Sequence, residues 1–390
     1  MILIYQDVVR LISVVYFLQG AIGIAGIALP LYLRQSGFSV KEIAYYTSIV
    51  AIPWFLKIVY GAISDAIPIF GLRRKPYIMI CGVLASLGWL LMAFCPPKMG
   101  FLIAAMIIAN FGFAVIDVVA DGIVVEHSTK NTTQVYQSIS WGARSVGAVV
   151  SGVLGGYLAA TVNYHLIFVM TAALPIFSVI AVFFYREKPV HKSKKINLIR
   201  PVVVSFKNIM SGDLRWFCLL LLVVSFSASF ATPLFFYMKD TLQFQEKFLG
   251  LLSSISWSGA IIGCILYLRF FKRTPLKNAL YMAAGAGFFT ILSCLLIKSH
   301  QMALVIFFLA GIFGYFILLP LMSSAARLAH GTGVESSLFA ILMGIFNVGQ
   351  SGSTFLGGWL FERIGINLLI IGTACLTLLG LLIIRKLKAL

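Results

Sequence analysis

Residues 142–158, GARSVGAVVSGVLGGYL, recur 202 positions later as residues 344–360, GIFNVGQSGSTFLGGWL, with eight identities in 17 aligned positions. A shorter match pairs residues 28–31, ALPL, with residues 231–234, ATPL, at a shift of 203. The longer stretch is rich in glycine and serine, and such small residues let helices pack closely in a membrane. The chain is therefore predicted to consist of two related halves.

The composition is that of a membrane protein. Of 390 residues, 61% are hydrophobic and 11% are charged, whereas soluble domains have about 45–50% and about 25%. The mean hydropathy is +1.00. No soluble fold buries so much apolar surface, which excludes a soluble enzyme, a nucleic-acid-binding protein and a disordered chain. The net charge of +18 is interpreted as orientation signals and contacts with anionic membrane lipid.

Twelve apolar stretches are long enough to cross a bilayer, which takes about 20 residues. Their length and continuity argue against the strands of an outer-membrane barrel. The sequence thus predicts an all-α membrane protein with twelve transmembrane helices. In chain order, spans 1 to 12 are 11–33, 43–63, 78–96, 100–124, 138–160, 165–186, 214–238, 247–270, 279–298, 301–325, 335–358 and 366–386.

The distribution of lysine and arginine predicts the orientation. With the N-terminus in the cytoplasm, 21 of these residues lie in inner segments and seven in outer segments. Both termini are therefore predicted to be cytoplasmic. The one long connection, residues 187–213, is a basic linker between an N-terminal six-helix bundle, 1–186, and a C-terminal six-helix bundle, 214–390. Two related halves around a midplane cavity are typical of secondary transporters.

Two stretches carry a family resemblance. Residues 53–78 read PWFLKIVYGAISDAIPIFGLRRKPYI, and residues 117–126 read DVVADGIVVE. The glycine, aspartate and basic run of the first stretch resemble the loop signature of the major facilitator superfamily, with a longer spacing between Asp65 and Gly71. Together, the two stretches resemble the folate-biopterin transporter family. This resemblance implies the major facilitator fold, alternating access and a folate- or pterin-like cargo.

The loop motif is predicted to form a cytoplasmic gate. A glycine permits close helix packing, an aspartate accepts hydrogen bonds, and the basic run can pair with acids at the inner end of span 4. The alternative is that the basic run only fixes the topology. The predicted gating residues are Gly61, Asp65, Arg73, Arg74 and Glu126.

Four charges lie within spans, all in the first half: Lys57, Asp117, Asp121 and Arg144. Each costs about 2.5–3.5 kcal/mol at the bilayer centre, so intramembrane charges indicate function. Asp117 and Asp121 share a helix face and are predicted to couple transport to protons, whereas the two cations are predicted to bind cargo. Arg144 lies at the depth of Asp117, so a direct pair or a shared cargo contact is expected. The alternatives are structural: Lys57 snorkels inward, Asp121 joins the loop motif, and Arg144 is only a counter-ion.

Polar and aromatic residues within spans complete the predicted cargo site. A pterin ring needs aromatic faces for stacking and amide groups for its edge, and packing without cargo is the alternative for each residue. No cysteine or histidine has the spacing of a metal site, so no cofactor or metal is predicted. These further cargo residues are Gln19, Trp54, Trp141 and Asn347.

The predicted function is a proton-coupled secondary transporter of a folate- or pterin-like organic anion, acting as a monomer in a bacterial inner membrane. No enzyme activity is expected, because the sequence offers no nucleophile–base pair. A carrier of another organic solute, such as a muropeptide or an S-adenosylmethionine-like cargo, remains an alternative. A receptor that does not transport is the alternative of another class, and the four intramembrane charges argue against it.

Overall fold

The computed structural model of the chain describes residues 6–127, 133–189, 209–210, 212–267, 269, 274–329 and 335–388. Most of the predicted linker, including 190–208, lies outside the described residues. Within the described ranges the chain is α-helical, apart from an isolated β-bridge between Ile69 and Leu72 in the loop that follows span 2. The fold class predicted from the sequence is therefore confirmed as all-α.

The helices follow from the long apolar runs. Short 3₁₀ segments interrupt them at Ile22–Ala25, Ile52–Leu56, Phe226–Phe230 and Cys294–Leu296, and a π-helical segment lies at Tyr237–Thr241. In chain order the α-helices are α1 Gln6–Ala21, α2 Ala28–Gln35, α3 Val40–Val50, α4 Lys57–Ala66, α5 Lys75–Phe94, α6 Met99–His127, α7 Thr133–Thr161, α8 Tyr164–Phe183, α9 Gly212–Ser225, α10 Ala231–Phe236, α11 Glu246–Leu266, α12 Leu276–Ser293, α13 His300–Ala329 and α14 Glu335–Lys386.

In the part of the chain that the structure describes, ten helices are long and apolar enough to cross a membrane. Two features explain why the number is ten and not twelve. Spans 11 and 12 both lie in α14, which is broken at Gly365, where φ is 71°, a conformation that glycine adopts at little cost. Span 7, which comprises α9, the 3₁₀ segment Phe226–Phe230 and α10, is not among the ten. The count of twelve and the cytoplasmic termini stay predictions.

The two related stretches make the same contact in each half. Ser151 Oγ donates a hydrogen bond to the Gly20 carbonyl at 2.9 Å, and Ser353 Oγ donates to the Ser225 carbonyl at 2.9 Å. In both halves a 3₁₀ segment follows the accepting carbonyl. The internal repeat seen in the sequence therefore corresponds to a repeated packing of span 5 on span 1 and of span 11 on span 7.

The chain forms two compact units, each containing most of one predicted half. The exceptions are residues 37–49, which belong with the second half, and residues 246–254, which belong with the first. Unit 1 is Met1–Ser36, Val50–Ile196 and Glu246–Ser254, and unit 2 is Gly37–Ile49, Asn197–Gln245 and Ile255–Leu390.

The two exchanged segments are held by different chemistry. In unit 1, the backbone of Gly250 on α11 lies directly against Gly152 and Gly156 on α7. In unit 2, Tyr45 on α3 stacks on Phe355 on α14 with ring centroids 3.8 Å apart. Close glycine packing and aromatic stacking thus fix segments that lie far from their partners in the sequence.

The apolar core of unit 1 is centred on α6. Its side chains Val119 and Ile123 are fully buried and pack with Ile12 of α1 and Ile78 of α5. On the same helix, Asp117 precedes Val119, and Asp121 lies between Val119 and Ile123. Charged groups beside an apolar core depend on specific partners, and α6 finds these partners on α1 and α4.

Candidate functional site

Lys57 is the partner of the first carboxylate. The 3₁₀ segment before it contains Pro53, which has no N–H to continue the helix. Lys57 is the first residue of α4, and its ammonium forms an ion pair with Asp117, whose side chain is only 6% exposed. Asp117 therefore forms its ion pair with Lys57 and not directly with Arg144, whereas a cargo contact shared by Asp117 and Arg144 stays a prediction.

Asp121 has a neutral partner. The hydroxyl of Tyr16 on α1 donates a hydrogen bond to the Asp121 carboxylate, and Tyr16 itself is buried. Within the described ranges no lysine or arginine forms an ion pair with Asp121. The alternative in which Asp121 joins the loop motif is not realised here.

Arg144 lies on α7, where α1 packs closely. A Cβ on Gly20 would meet the backbone of Arg144 and Ala148. The guanidinium carbon of Arg144 lies 5.2 Å from the centre of the Trp141 ring, a distance typical of a cation–π contact. Among the side chains that the structure describes, no carboxylate lies within ion-pair distance of Arg144.

Trp54 and Asn110 lie beside the Lys57 pair. Lys57 Nζ lies 4.7 Å from the centre of the Trp54 ring. The indole N–H of Trp54 donates to Asn110 Oδ1 at 3.3 Å, and Asn110 Nδ2 donates to the Val50 carbonyl at 2.7 Å. One face of Trp54 is therefore used by a protein cation, and the Asn110 amide is used by the backbone of span 2.

Two further cargo candidates form no hydrogen bond with these charges among the described residues. Gln19 follows Tyr16 by one turn of α1, and its amide oxygen and nitrogen are buried without a hydrogen-bond partner among the described residues. Asn347 lies on α14 in unit 2 and is half-buried. Their roles in cargo binding stay predictions.

Arg74 is the buried centre of a polar cluster at the loop motif, whose two carboxylates are partly exposed. Its Nη2 lies 2.6 Å from Asp65 Oδ1 and 2.7 Å from Glu126 Oε1, and its Nη1 donates to Ser64 Oγ at 2.9 Å. A Cβ on Gly122 would lie 2.7 Å from the guanidinium carbon, so glycine leaves the space that Arg74 occupies. These four residues, Ser64, Asp65, Arg74 and Glu126, form what we call the Arg74 cluster.

The neighbouring carboxylates keep the Arg74 guanidinium charged. Burial alone lowers the pKa of the Arg74 guanidinium, but the hydrogen bond to Glu126 and the charges of Asp65 and Glu126 raise this pKa above its ordinary value. Gly61 also behaves as expected from the motif, because a Cβ there would lie 3.0 Å from Val118 on α6. Three predicted gating residues thus meet in one cluster, and a fourth permits the close approach of α4 and α6.

Glu187 holds the other side of the same loop and was missed by the sequence analysis. Its carboxylate accepts the backbone N–H groups of Arg73, Arg74 and Lys75 at 2.6, 2.8 and 2.7 Å. These groups lie at the N-terminus of α5, where unpaired N–H groups and the helix dipole favour an anion. Arg73 therefore acts through its backbone, and its Nε is buried without a partner among the described residues. The available signal was an acid within the basic run Arg186–Lys188.

Tyr16 was also missed, although its hydroxyl is a polar group within span 1, one turn before Gln19. The chemistry of the site follows from the different partners of Asp117 and Asp121. Asp117 is neutralised by Lys57, so a proton on Asp117 would break an ion pair. Asp121 is bound by a neutral hydroxyl, so a proton there breaks no ion pair. In the described ranges no group of histidine, cysteine or acidic residues could hold a metal ion.

Known proteins resemble this chain over nearly its whole length. The sequence pattern of the BT1 family matches residues 19–387. A folate-biopterin transporter of Synechocystis sp. is 28% identical over 374 residues, which cover 90% of this chain and 74% of the relative. A probable folate-biopterin transporter 4 of Arabidopsis thaliana is 24% identical over 439 residues, which cover 92% and 89%.

Solved structures show the same fold. The nucleoside transporter NupG superposes with a TM-score of 0.79 at 13% identity, covering 98% of this chain and 99% of that chain. A bacterial homologue of the human lysosomal transporter Spinster gives a TM-score of 0.71 at 14% identity, covering 98% and 97%. Such low identities show the fold alone, which is that of major facilitator transporters. Because the family pattern spans almost the entire sequence, this multi-pass membrane protein belongs to the BT1 family of transporters and is not an enzyme.

Proposed function

We propose that the protein is a secondary active transporter that moves a folate- or pterin-like organic anion by alternating access. The observation that carries this proposal is Arg144, an intramembrane cation over the Trp141 ring with no acidic partner among the described residues. A cation without an ion-pair partner is costly in a membrane, and a carboxylate of the cargo would supply that partner. Relatives named folate-biopterin transporters favour this cargo class.

Asp121 is the proposed proton carrier. Its bond from Tyr16 survives protonation with donor and acceptor exchanged, because a hydroxyl can play either part. Asp117 serves as the fixed anion that holds Lys57. A proton and an anionic cargo would then enter together, since protonation of Asp121 leaves the two cations facing a single remaining carboxylate.

The remaining cargo residues are proposed to recognise the heterocycle of the cargo rather than its charge. Lys57 is shared between its ion pair and the cargo, and the aromatic and amide side chains contact the heterocycle. No cofactor takes part in this scheme. The further residues assigned to the cargo site are Gln19, Trp54, Trp141 and Asn347.

The proposed topology has twelve spans, with both termini in the cytoplasm of a bacterial cell and the protein acting as a monomer in the inner membrane. The bundles 1–186 and 214–390 are joined by the basic linker 187–213. The Arg74 cluster then lies at the cytoplasmic rim of the first bundle, where a gate would act. The proposed gate comprises Gly61, Asp65, Arg73, Arg74 and Glu126.

Uptake into proteoliposomes tests this function. Labelled folate, biopterin and S-adenosylmethionine are offered with and without an inward-directed proton gradient. We expect accumulation of folate or biopterin only with the gradient. Accumulation of S-adenosylmethionine alone would indicate another organic cargo, and saturable binding without flux would indicate a receptor.

A matched substitution sharpens the assay, because folate carries carboxylates and biopterin does not. Arg144→Gln removes the cation while keeping a polar side chain. Loss of one charged hydrogen bond should lower folate uptake about tenfold or more and leave biopterin uptake little changed. Equal losses for both cargoes would show that Arg144 does not recognise a carboxylate.

A further inference from the structure

Span 2 contains an interruption whose hydrogen bonds can be traced. In the 3₁₀ segment Ile52–Leu56, Pro53 has no N–H. The N–H of Trp54 bonds to the Ala51 carbonyl at 3.0 Å rather than to Val50, which lies four residues back. The Val50 carbonyl therefore loses its helical partner inside a membrane span, where unpaired backbone groups are costly.

Asn110 of α6 supplies the missing partner. Its Nδ2 donates to the Val50 carbonyl at 2.7 Å, and its Oδ1 accepts the indole N–H of Trp54 at 3.3 Å. Only one orientation of an amide satisfies a carbonyl and an N–H at these two positions. Both ends of the Asn110 side chain are thus committed to the interruption of span 2.

The interruption decides the direction in which Lys57 points. A 3₁₀ helix turns about 120° and rises about 2.0 Å per residue, whereas an α-helix turns about 100° and rises about 1.5 Å. The five residues of this segment therefore rotate α4 by about 100° and advance it by about 2.5 Å relative to an unbroken helix. In an unbroken span 2, Lys57 would point about a quarter turn away from its present direction.

Asn110 and Asp117 are two turns apart on α6 and share one face. Asn110 forms hydrogen bonds to the interruption of span 2, and Asp117 forms the ion pair with Lys57, which follows the interruption. We propose that Asn110 is a positioning residue: it stabilises the 3₁₀ segment at Val50 and thereby directs Lys57 to Asp117. Only the transport readout below rests on the proposed function.

The direct test is the chemical reactivity of Lys57 in the purified protein. Asn110→Leu removes the amide at similar volume. Thr47→Val is the matched control, because it removes a side-chain hydrogen bond of the same span, from Thr47 Oγ1 to the Ile43 carbonyl at 2.8 Å, and leaves the interruption intact. An amine-acylating reagent is applied, and peptide mass spectrometry measures modification of Lys57. We expect Asn110→Leu to raise modification about tenfold, as for loss of one charge-assisted hydrogen bond. Thr47→Val should change it little.

Transport gives a second readout that a purely structural role would not move. When Lys57 leaves Asp117, a second carboxylate becomes free to take a proton, so the pH profile of folate uptake should shift in Asn110→Leu. The profile of Thr47→Val should match the wild type. Asn110→Gln, which retains both functional ends of the amide, should restore part of the original profile.

A backbone change keeps the proposal falsifiable if Asn110→Leu does not fold. Pro53→Ala restores an N–H and lets span 2 close into a regular helix, so the double variant should fold while Lys57 stays strongly modified. Wild-type modification of Lys57 in a folded Asn110→Leu protein, alone or with Pro53→Ala, would overturn the proposal. Absence of uptake of every cargo by the wild type would instead contradict the proposed function and leave the modification result valid.

Discussion

The four charges within the spans of the first bundle differ in the kind of partner they have. Lys57 neutralises Asp117, Tyr16 satisfies Asp121 without neutralising it, and Arg144 rests on an aromatic ring. An exposed ion pair contributes about 0–1 kcal/mol, whereas stranding one member of a buried pair costs about 3–5 kcal/mol. The kind of partner therefore distinguishes the two carboxylates. Asp117 has an ionic partner and a structural role, whereas Asp121 has a neutral partner and is free to change its protonation state.

Removing one member of the Lys57–Asp117 pair should destabilise the protein more than removing both members. Asp117→Asn strands a cation, and its cost should lie toward the lower end of about 3–5 kcal/mol because the Lys57 side chain is 33% exposed. Lys57→Met/Asp117→Asn should regain most of this stability. Unfolding temperatures in detergent measure both effects. Additive losses in the double variant would show that the two side chains do not interact.

Substitution of Asp121 and substitution of Asp117 should impair different steps of transport. Asp121→Asn keeps a hydrogen-bond acceptor for Tyr16 and removes the site of protonation, so cargo exchange should persist while proton-driven accumulation is lost. Asp117→Asn should impair both, since it also displaces Lys57. The ratio of exchange to accumulation in proteoliposomes separates these outcomes. Proton-driven accumulation by Asp121→Asn would remove this residue from the coupling mechanism.

Among the elements, local sequence patterns predicted more about where helices lie than about where they break. The apolar runs place α5, α6 and α8 within a few residues of spans 3, 4 and 6. Span 2 was predicted as continuous, and the rotation that follows Pro53 also requires Asn110 on another helix. Similarly, an acid within a basic run does not reveal that Glu187 caps α5. Such contacts join residues distant in sequence, and periodicity carries no information on them.

The loop between α4 and α5 offers a matched pair of adjacent arginines. Arg74 is 5% exposed and binds carboxylates on α4 and α6, whereas Arg73 contributes its backbone N–H to Glu187. Arg74→Lys loses the forked geometry of the guanidinium, so we expect a changed turnover rate with little change in cargo affinity. Arg73→Lys should leave both unchanged. Steady-state uptake measures turnover and the half-saturating cargo concentration separately. A loss of affinity in Arg74→Lys would place the cluster at the cargo site.

For the whole molecule, the internal repeat was readable because glycine and serine positions survive in both copies. The matching bonds of Ser151 and Ser353 agree with that alignment. The division into units was not readable in full, because residues 37–49 and 246–254 each join the other half. Glycine faces and a stacked aromatic pair decide these placements, and a single helix's sequence does not identify the surface on which it packs.

The orientation in the membrane can be tested at the two ends of α5. This helix has 20 residues, about 30 Å, so residues before and after it should lie on opposite sides. Phe70, which is 93% exposed, precedes α5, and Lys98 follows it. With the six native cysteines replaced, Phe70→Cys and Lys98→Cys each present one thiol to an impermeant reagent. The excess of basic residues in inner segments predicts that intact cells label Lys98→Cys only, and that permeabilised cells label both. The reverse pattern would invert the topology, and labelling of both in intact cells would show that α5 does not span the membrane.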